Sequence, residues 1–295
     1  MRRRISKWGT QLQITTFNSP ILLISVVQLG TLSYATGLKL QSELIAARKE
    51  NRIPDTLVLL QHKPVITLGR NAKQQNVLLS RELLQSKGVD LFETDRGGDV
   101  TFHGPGQLVG YPIFDLHGFP TSGGGTLKHL GAVDYVRKVE EVLIRTILEY
   151  TIPTKRIKGL TGVWTDWSHT GDQQSPDDPI TRSSDAKIAA IGVHISRSVT
   201  SHGFALNVNN DLDYFKLIVP CGISDKPVTS LKKELDRDLD LDEVAQRVSR
   251  NFGRVFDRQM LPVNTVDELL GRAVDTPAKA PDSIRAFPGD DTSWA

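Results

Sequence analysis

RGGDVTFHGPGQLVGYPIFDL, residues 96–116, places a cation, a histidine and five glycines in a stretch unlike any regular element; a strand pattern resumes only at YPIFDL. Glycines let a backbone take positive φ and let a ligand approach main-chain N–H groups that a Cβ would block. Arg96 and His103 would then flank a bound group. Taken alone, the stretch also reads as a cluster of turns. It is not a dinucleotide fingerprint, because Pro105 sits inside the glycine turn, the spacing is GxGxxxG, and a strand rather than a helix follows. No GxxxxGK[ST] occurs in the chain, which disfavours a P-loop NTPase.

Toward the N-terminus, Ile21 to Leu29 is rich in β-branched residues and stops at Gly30, the pattern of a buried strand that opens the folded domain. Tyr34 to Arg48 reads as a helix, Thr56 to Gln61 and Val65 to Leu68 as strands, Ser80 to Ser86 as a short helix and Asp90 to Thr94 as an edge-like strand. Toward the C-terminus, Leu130, Val133, Val136, Val139, Leu143 and Ile147 recur at three and four residues and predict an amphipathic helix over Leu127 to Tyr150. After WTDW, Ser168 to Asp185 has almost no apolar residue and reads as a solvated, mobile surface insertion. Lys187 to Ile195 and Ser201 to Val208 predict a hairpin connected by Ser196 to Thr200. Ser230 can cap a short helix, and Val244, Val248, Phe252 and Phe256 predict a core-facing helix over Leu241 to Met260. The expected domains are therefore an N-terminal segment 1–19, a single α+β domain over 20–262 and a loose tail over 263–295.

Charge separates the first of these from the second. The 295 residues carry a formal net charge of +2, yet the first acidic residue is Glu43. Removing residues 1–19 takes away four cations and no anion, leaving a body of −2. An Arg-rich, Ser/Thr-containing, acid-free start has the composition of a mitochondrial transit segment, so a matrix localisation is expected. The apolar run Ile21 to Val27 is too short to span a bilayer, which needs about 20 apolar residues. Aromatic content is 6%, with no basic patch interleaved with aromatics, so nucleic acid is not an expected partner.

One cysteine, Cys221, excludes an internal disulfide and Cys-based zinc sites. The seven histidines form no HxxxH or HExxH pair and no GxSxG elbow is present, so neither a metal nor a serine nucleophile is expected. Cys221 sits between Pro220 and Gly222 in a loop, and reads either as a small buried hydrophobe or as a nucleophile. A nucleophilic thiol needs a group that stabilises the thiolate, since a free Cys titrates near 8.5. His62, His103, His194, His202 and Lys187 are the candidates. Lys187 opens the apolar strand KIAAIG; it is either a strand end in water or a functional lysine.

Taken together, RGGDVTFHGPGQLVGYPIFDL, KIAAIGVHI at 187–195, SHGFALNVNNDL at 201–212 and PCG with the following VTSL at 220–231 resemble the octanoyltransferases of lipoate synthesis, as do HKPVITLGR at 62–70 and VVQLGTLSYATGLKLQ at 27–42. The resemblance covers about residues 22–260. It implies an α+β fold like that of lipoate and biotin ligases, with a central mixed sheet flanked by helices and no ATP or other cofactor. It also implies octanoyl transfer from octanoyl-acyl carrier protein to a lysine of lipoyl domains, in 2-oxo-acid dehydrogenase E2 subunits or the glycine-cleavage H protein. Carried over by position, Cys221 matches the nucleophile and Lys187 the lysine that lowers its pKa. Arg96, Gly97, Gly98, Asp99, Val100, Thr101, Phe102 and His103 match the substrate-binding loop. Ala190, Ile191 and Gly192, with Gly203, Phe204 and Ala205, match the walls of the acyl pocket. Asp99 departs from the family, where a neutral polar residue is common. Backbone N–H groups near Cys221 or at His202–Gly203 are expected oxyanion donors. Arg96, Lys155, Arg156 and Lys158 are expected to form a basic docking patch for the acidic carrier, and the protein is expected to be a monomer.

Overall fold

The computed structural model describes residues 22–121, 128–169, 185–219 and 226–272. In chain order the elements are β1 (Leu23–Leu32), α1 (Tyr34–Lys49), β2 (Asp55–His62), β3 (Val65–Leu68), α2 (Arg81–Ser86), β4 (Asp90–Glu93), β5 (Val100–His103), β6 (Gln107–Ile113), β7 (Pro120–Thr121), β8 (Lys128–His129), α3 (Ala132–Leu148), β9 (Thr154–Ile157), β10 (Leu160–Thr165), β11 (Lys187–Ser196), β12 (Val199–Asn207), α4 (Leu231–Leu235), α5 (Leu241–Phe256), β13 (Gln259–Val263) and α6 (Val266–Leu269). Eight strands form one mixed sheet in the order β13-β1-β2-β6-β12-β11-β10-β9. A second sheet, β4-β3-β5, stands beside it, and β7 and β8 form a small ladder.

Strand alternation distributes the core over both faces of the main sheet. From β2, Leu57 and Leu59 point into the core built by α3 and α5, whose Val139, Leu143, Val248 and Phe252 are fully buried. Val58 and Leu60 point the other way, against Leu44 and Ala47 of α1. Both faces are covered, so β2 is buried almost throughout and its sequence TLVLLQ shows no polar alternation. The helix α1 starts where Ser33 Oγ accepts the Thr36 N–H at 3.1 Å. The α+β class, with a mixed sheet flanked by helices, agrees with the sequence reading.

Several boundaries differ. The stretch 96–116 holds two strands, β5 and β6, because their partners β3, β2 and β12 lie far off in sequence and leave no local signature. Between them Gly106 takes φ 81, and a Cβ there would lie 2.7 Å from Asn210 N. The hairpin connection is not Ser196 to Thr200 but only Arg197 and Ser198, at φ 50 and 62, a two-residue turn whose twist suits the flanking strands. The helix expected over Leu241 to Met260 ends at Phe256, followed by Asp257 at φ 55, and Met260 belongs to β13, which pairs in parallel with β1. The fold continues past Pro262: Val266, Leu269 and Leu270 pack on the α1 face. The helix predicted from Leu127 begins at Ala132. Residues 1–19, most of the 168–185 insertion and residues 273–295 lie outside the described residues.

Candidate active site

The glycine stretch folds back over the β11–β12 hairpin and roofs a pocket of about 400 Å³. Two ladders hold this roof. On one side Gly69, Arg70 and Asn71 donate backbone N–H groups to Asp99, Arg96 and Gly98 carbonyls at 3.3, 3.0 and 3.1 Å. On the other, Gly97 N–H donates to Val193 O at 3.0 Å. Glycine is required where roof meets hairpin, since a Cβ on Gly192 would lie 2.7 Å from Gly97 O.

Of the residues matched to the substrate loop, Arg96, Gly98, Asp99, Thr101 and His103 line the pocket. Val100 and Phe102 alternate away from it into the core of the small sheet, and Gly97 contributes backbone to the roof. Ala190, Ile191, Gly192, Gly203, Phe204 and Ala205 all line it, as does Lys187. The structure thus unites three stretches that are separate in sequence. It also adds Tyr34, Asn71, Val109, Tyr111, Gly159, Leu160, Thr161 and His202 to the wall. Tyr34 falls within VVQLGTLSYATGLKLQ, which assigns it no role, and arrives at the pocket through the packing of α1 against the sheet.

Lys187 is 8% exposed, with Nζ 4.7 Å from the Trp164 ring centroid. Its backbone is held on both sides: its N–H donates to Pro227 O at 2.8 Å and its carbonyl accepts from Thr229 N–H at 3.0 Å. It is therefore not a strand end in water. Cys221 falls in 220–225, outside the described residues.

Behind the roof runs a buried chain of hydrogen bonds whose direction Arg96 fixes, because a guanidinium only donates. Arg96 Nη2 donates to Thr67 Oγ1 at 2.9 Å and to Thr67 O at 2.6 Å. Thr67 Oγ1 faces His103 Nε2 at 3.5 Å, His103 Nδ1 meets Gln107 Oε1 at 2.8 Å, and Gln107 Nε2 donates to Asn207 Oδ1 at 2.8 Å. Asn207 Nδ2 then donates to Thr229 O at 2.9 Å, next to the Lys187 ladder. Gln107 Oε1 only accepts, so His103 carries its proton on Nδ1. Burial holds His103 neutral, its pKa lowered to about 3. His62 stands beside it, lowered by burial to about 4, with Nε2 2.5 Å from Tyr111 Oη. Burial also pushes the Tyr34 hydroxyl up to about 12.

At the rim, Asp95 accepts from His202 Nε2 at 2.6 Å and from His194 Nδ1. Burial works to raise the Asp95 carboxyl, but the hydrogen bonds from His202 and His194 outweigh it and hold it below the usual carboxylate range. The His202 N–H donates to Gln41 Oε1 at 2.8 Å, which removes it as an oxyanion donor.

The expected basic patch does not form. Arg96 is 7% exposed and turned inward. Lys155 bonds Asp166 and Asp185, and Arg156 bonds Glu140 and Glu141, so both cations are neutralised by neighbours. Lys158 is exposed. Among the described residues no group of three or more His, Cys, Asp or Glu could hold a metal ion, and no helix is long and apolar enough to cross a membrane.

Residues 33–253, three quarters of the chain, match the family model of the lipoyl protein ligase A/B catalytic domain. The chain belongs to the lipoyl protein ligase A/B family. Within that family it is 54% identical to a protein of Koribacter versatilis named octanoyltransferase, over 91% of this chain and 98% of that one. It is 51% identical to an octanoyltransferase of Acidobacterium capsulatum, over 84% and 96%. The fold also matches the solved structure of a bi-partite lipoate protein ligase from Thermoplasma acidophilum, with a TM-score of 0.57 at 14% identity over 85% of this chain and 91% of that one.

Proposed function

We propose that this protein transfers an octanoyl group from the thioester of acyl carrier protein to a specific lysine of lipoyl domains, those of 2-oxo-acid dehydrogenase E2 subunits or the glycine-cleavage H protein. The observation that carries this reading is the 54% identity, over nearly the whole of both chains, to a protein named octanoyltransferase. A pocket whose wall includes Ala190, Ile191, Phe204, Ala205 and Lys187 suits an acyl chain with a reacting end. Each buried methylene of that chain contributes about 0.8 kcal/mol, so chain length governs affinity.

The chemistry needs no adenylation, because a thioester is already an activated acyl donor. In the first half-reaction the Cys221 thiolate attacks the thioester carbonyl. The carbon–sulfur bond to the carrier breaks, and the departing thiolate takes the proton of the Lys187 ammonium to leave as a thiol, which leaves Lys187 a neutral amine. In the second, the acceptor lysine amine attacks the Cys221 thioester, an amide forms, the cysteine is released, and Lys187 as a neutral amine takes the amine proton. As an ammonium ion in the resting enzyme, Lys187 favours the thiolate by charge attraction. Two features support its pairing with Cys221: it is buried in the pocket wall, and its backbone bonds Pro227 and Thr229, which closely follow the cysteine in sequence.

The test is the mass of an apo lipoyl domain after incubation with this protein and octanoyl-acyl carrier protein, without ATP. One added octanoyl group is expected. Lys187→Ala should slow transfer at least about 100-fold, the usual contribution of a positioned acid or base. Transfer that required free octanoate and ATP would contradict the reading. The proposal of a mitochondrial matrix enzyme rests on residues 1–19 alone and finds no support in the relatives compared, which are bacterial; import of a reporter fused behind those residues tests it.

A further inference from the structure

We propose that Asp95 is a positioning residue for the acyl pocket: its carboxylate latches the roof, residues 95–99, onto both strands of the β11–β12 hairpin and holds the pocket in its acyl-binding shape. The identity of the ligand rests on the octanoyl-transfer reading; the latch itself rests on geometry. On the side of Gly69 to Asn71 the roof is secured by three backbone hydrogen bonds. On the hairpin side, Gly97 N–H donates to Val193 O, and the Asp95 carboxylate takes one bond from β11 through His194 and one from β12 through His202. Chain alternation separates the two tasks. The Asp95 side chain is 59% exposed, outside the pocket, while Arg96 is turned inward and lines it.

An exposed carboxylate beside a histidine ordinarily contributes little. Two observations set this one apart. His202 sits in the left-handed region at φ 56, which a non-glycine residue rarely adopts, and it is held there by Gln41 on its N–H and Asp95 on its ring. In addition, the proton pattern favours a carboxylate. Arg70 Nη2 lies 3.0 Å from His194 Nε2 and can only donate, so His194 presents its proton on Nδ1 to Asp95. His202 presents Nε2–H to the other oxygen. Both histidines donate to the carboxylate, so an amide at position 95 keeps both contacts only if His202 moves its proton from Nε2 to Nδ1, a change of tautomer that the carboxylate does not require.

The test compares the wild type with Asp95→Asn and Asp95→Ala. Binding of an unreactive amide analogue of octanoyl-pantetheine is measured by calorimetry, and octanoyl transfer at saturating donor is measured alongside. The latch predicts that Kd rises about tenfold in Asp95→Ala and about threefold in Asp95→Asn, with kcat within about twofold of wild type in both. A Kd within twofold of wild type in Asp95→Ala, an Asn variant indistinguishable from wild type, a fall in kcat with Kd unchanged, or a wild type that does not bind the analogue would each overturn it. Should the wild type bind the analogue and transfer nothing, the octanoyl-transfer reading fails while the Kd ratios still decide the latch.

Discussion

Two polar regions of this protein treat buried polarity in opposite ways. Behind the pocket, Arg96, Thr67, His103, Gln107 and Asn207 pass hydrogen bonds from one neutral acceptor to the next through residues at most 8% exposed. On the α3–α5 face, Glu149 instead collects charges: it accepts from Arg247 at 3.2 Å, Arg250 at 2.6 Å and Asn251 at 3.0 Å, with its side chain 23% exposed. The first arrangement ties the pocket roof to the ladder that carries Lys187, and a broken link leaves a dry, unpaired group. The second sits half in water, where losing a partner is made good by solvent. Geometry at the site is thus set by the costly kind of polar contact, and the helix face is joined by the cheap kind.

The contrast breaks most visibly at Gln107. Gln107→Leu removes the acceptor of His103 Nδ1 and the donor to Phe102 O and Asn207 Oδ1, all buried. Asn207 Oδ1 keeps Asn210 Nδ2 at 3.2 Å, so at about 1–3 kcal/mol for each group left unpaired a loss of about 3 kcal/mol in urea unfolding is expected; a loss below about 1 kcal/mol would show that the chain of bonds is not structural.

Acid sensitivity also separates the two regions, which place it in different windows. His62 and His103 stay neutral in the fold down to about 4 and about 3, whereas an unfolded histidine titrates near 6.5. Between about pH 6.5 and 4 the unfolded chain therefore binds more protons, so stability falls on acidification by up to about 1.4 kcal/mol per pH unit for each histidine. Burial works to raise the Glu149 carboxyl, but its bonds to Asn251 and Arg250 outweigh it and hold it below its usual value. Its contribution is present above about pH 4.3 and lost as pH falls through the depressed folded pKa. Stability measured against pH should begin to fall near 6.5, and Glu149→Gln should leave that limb unchanged. A flat profile down to pH 5 would contradict the burial of the two neutral histidines.

The smallest effect is Glu149→Gln itself. A cost of about 1 kcal/mol in dilute buffer is expected, shrinking at molar salt as the arginines are screened. A loss above about 3 kcal/mol would erase the distinction between the two regions.

How much of this was legible in the sequence follows the same division. Long elements with a strong period, such as the α3 stripe from Val136 to Ile147 and the doubly buried β2, were readable because burial imposes the pattern locally. The wall residues Ala190 to Gly192 and Gly203 to Ala205 came from resemblance and meet at the pocket. Inside 96–116 only the end of β6, at Tyr111 to Ile113, is readable; β5 and the start of β6 are not, because their hydrogen-bond partners are supplied by β3, β2 and β12. Tyr34 and Asp95 look like ordinary helix-start and loop residues until the fold sets one against His103 and the other between two histidines. The docking patch expected of Arg96 and Arg156 fails for a simple reason: composition reports charge but not which charges turn inward or are already paired.

The central proposal, that Cys221 carries the acyl group with Lys187 as its partner, is tested most directly by the intact mass of the protein after incubation with octanoyl-acyl carrier protein and no acceptor. A gain of one octanoyl group, absent in Cys221→Ala, is predicted; an unchanged wild-type mass, or an equal gain in Cys221→Ala, would contradict it.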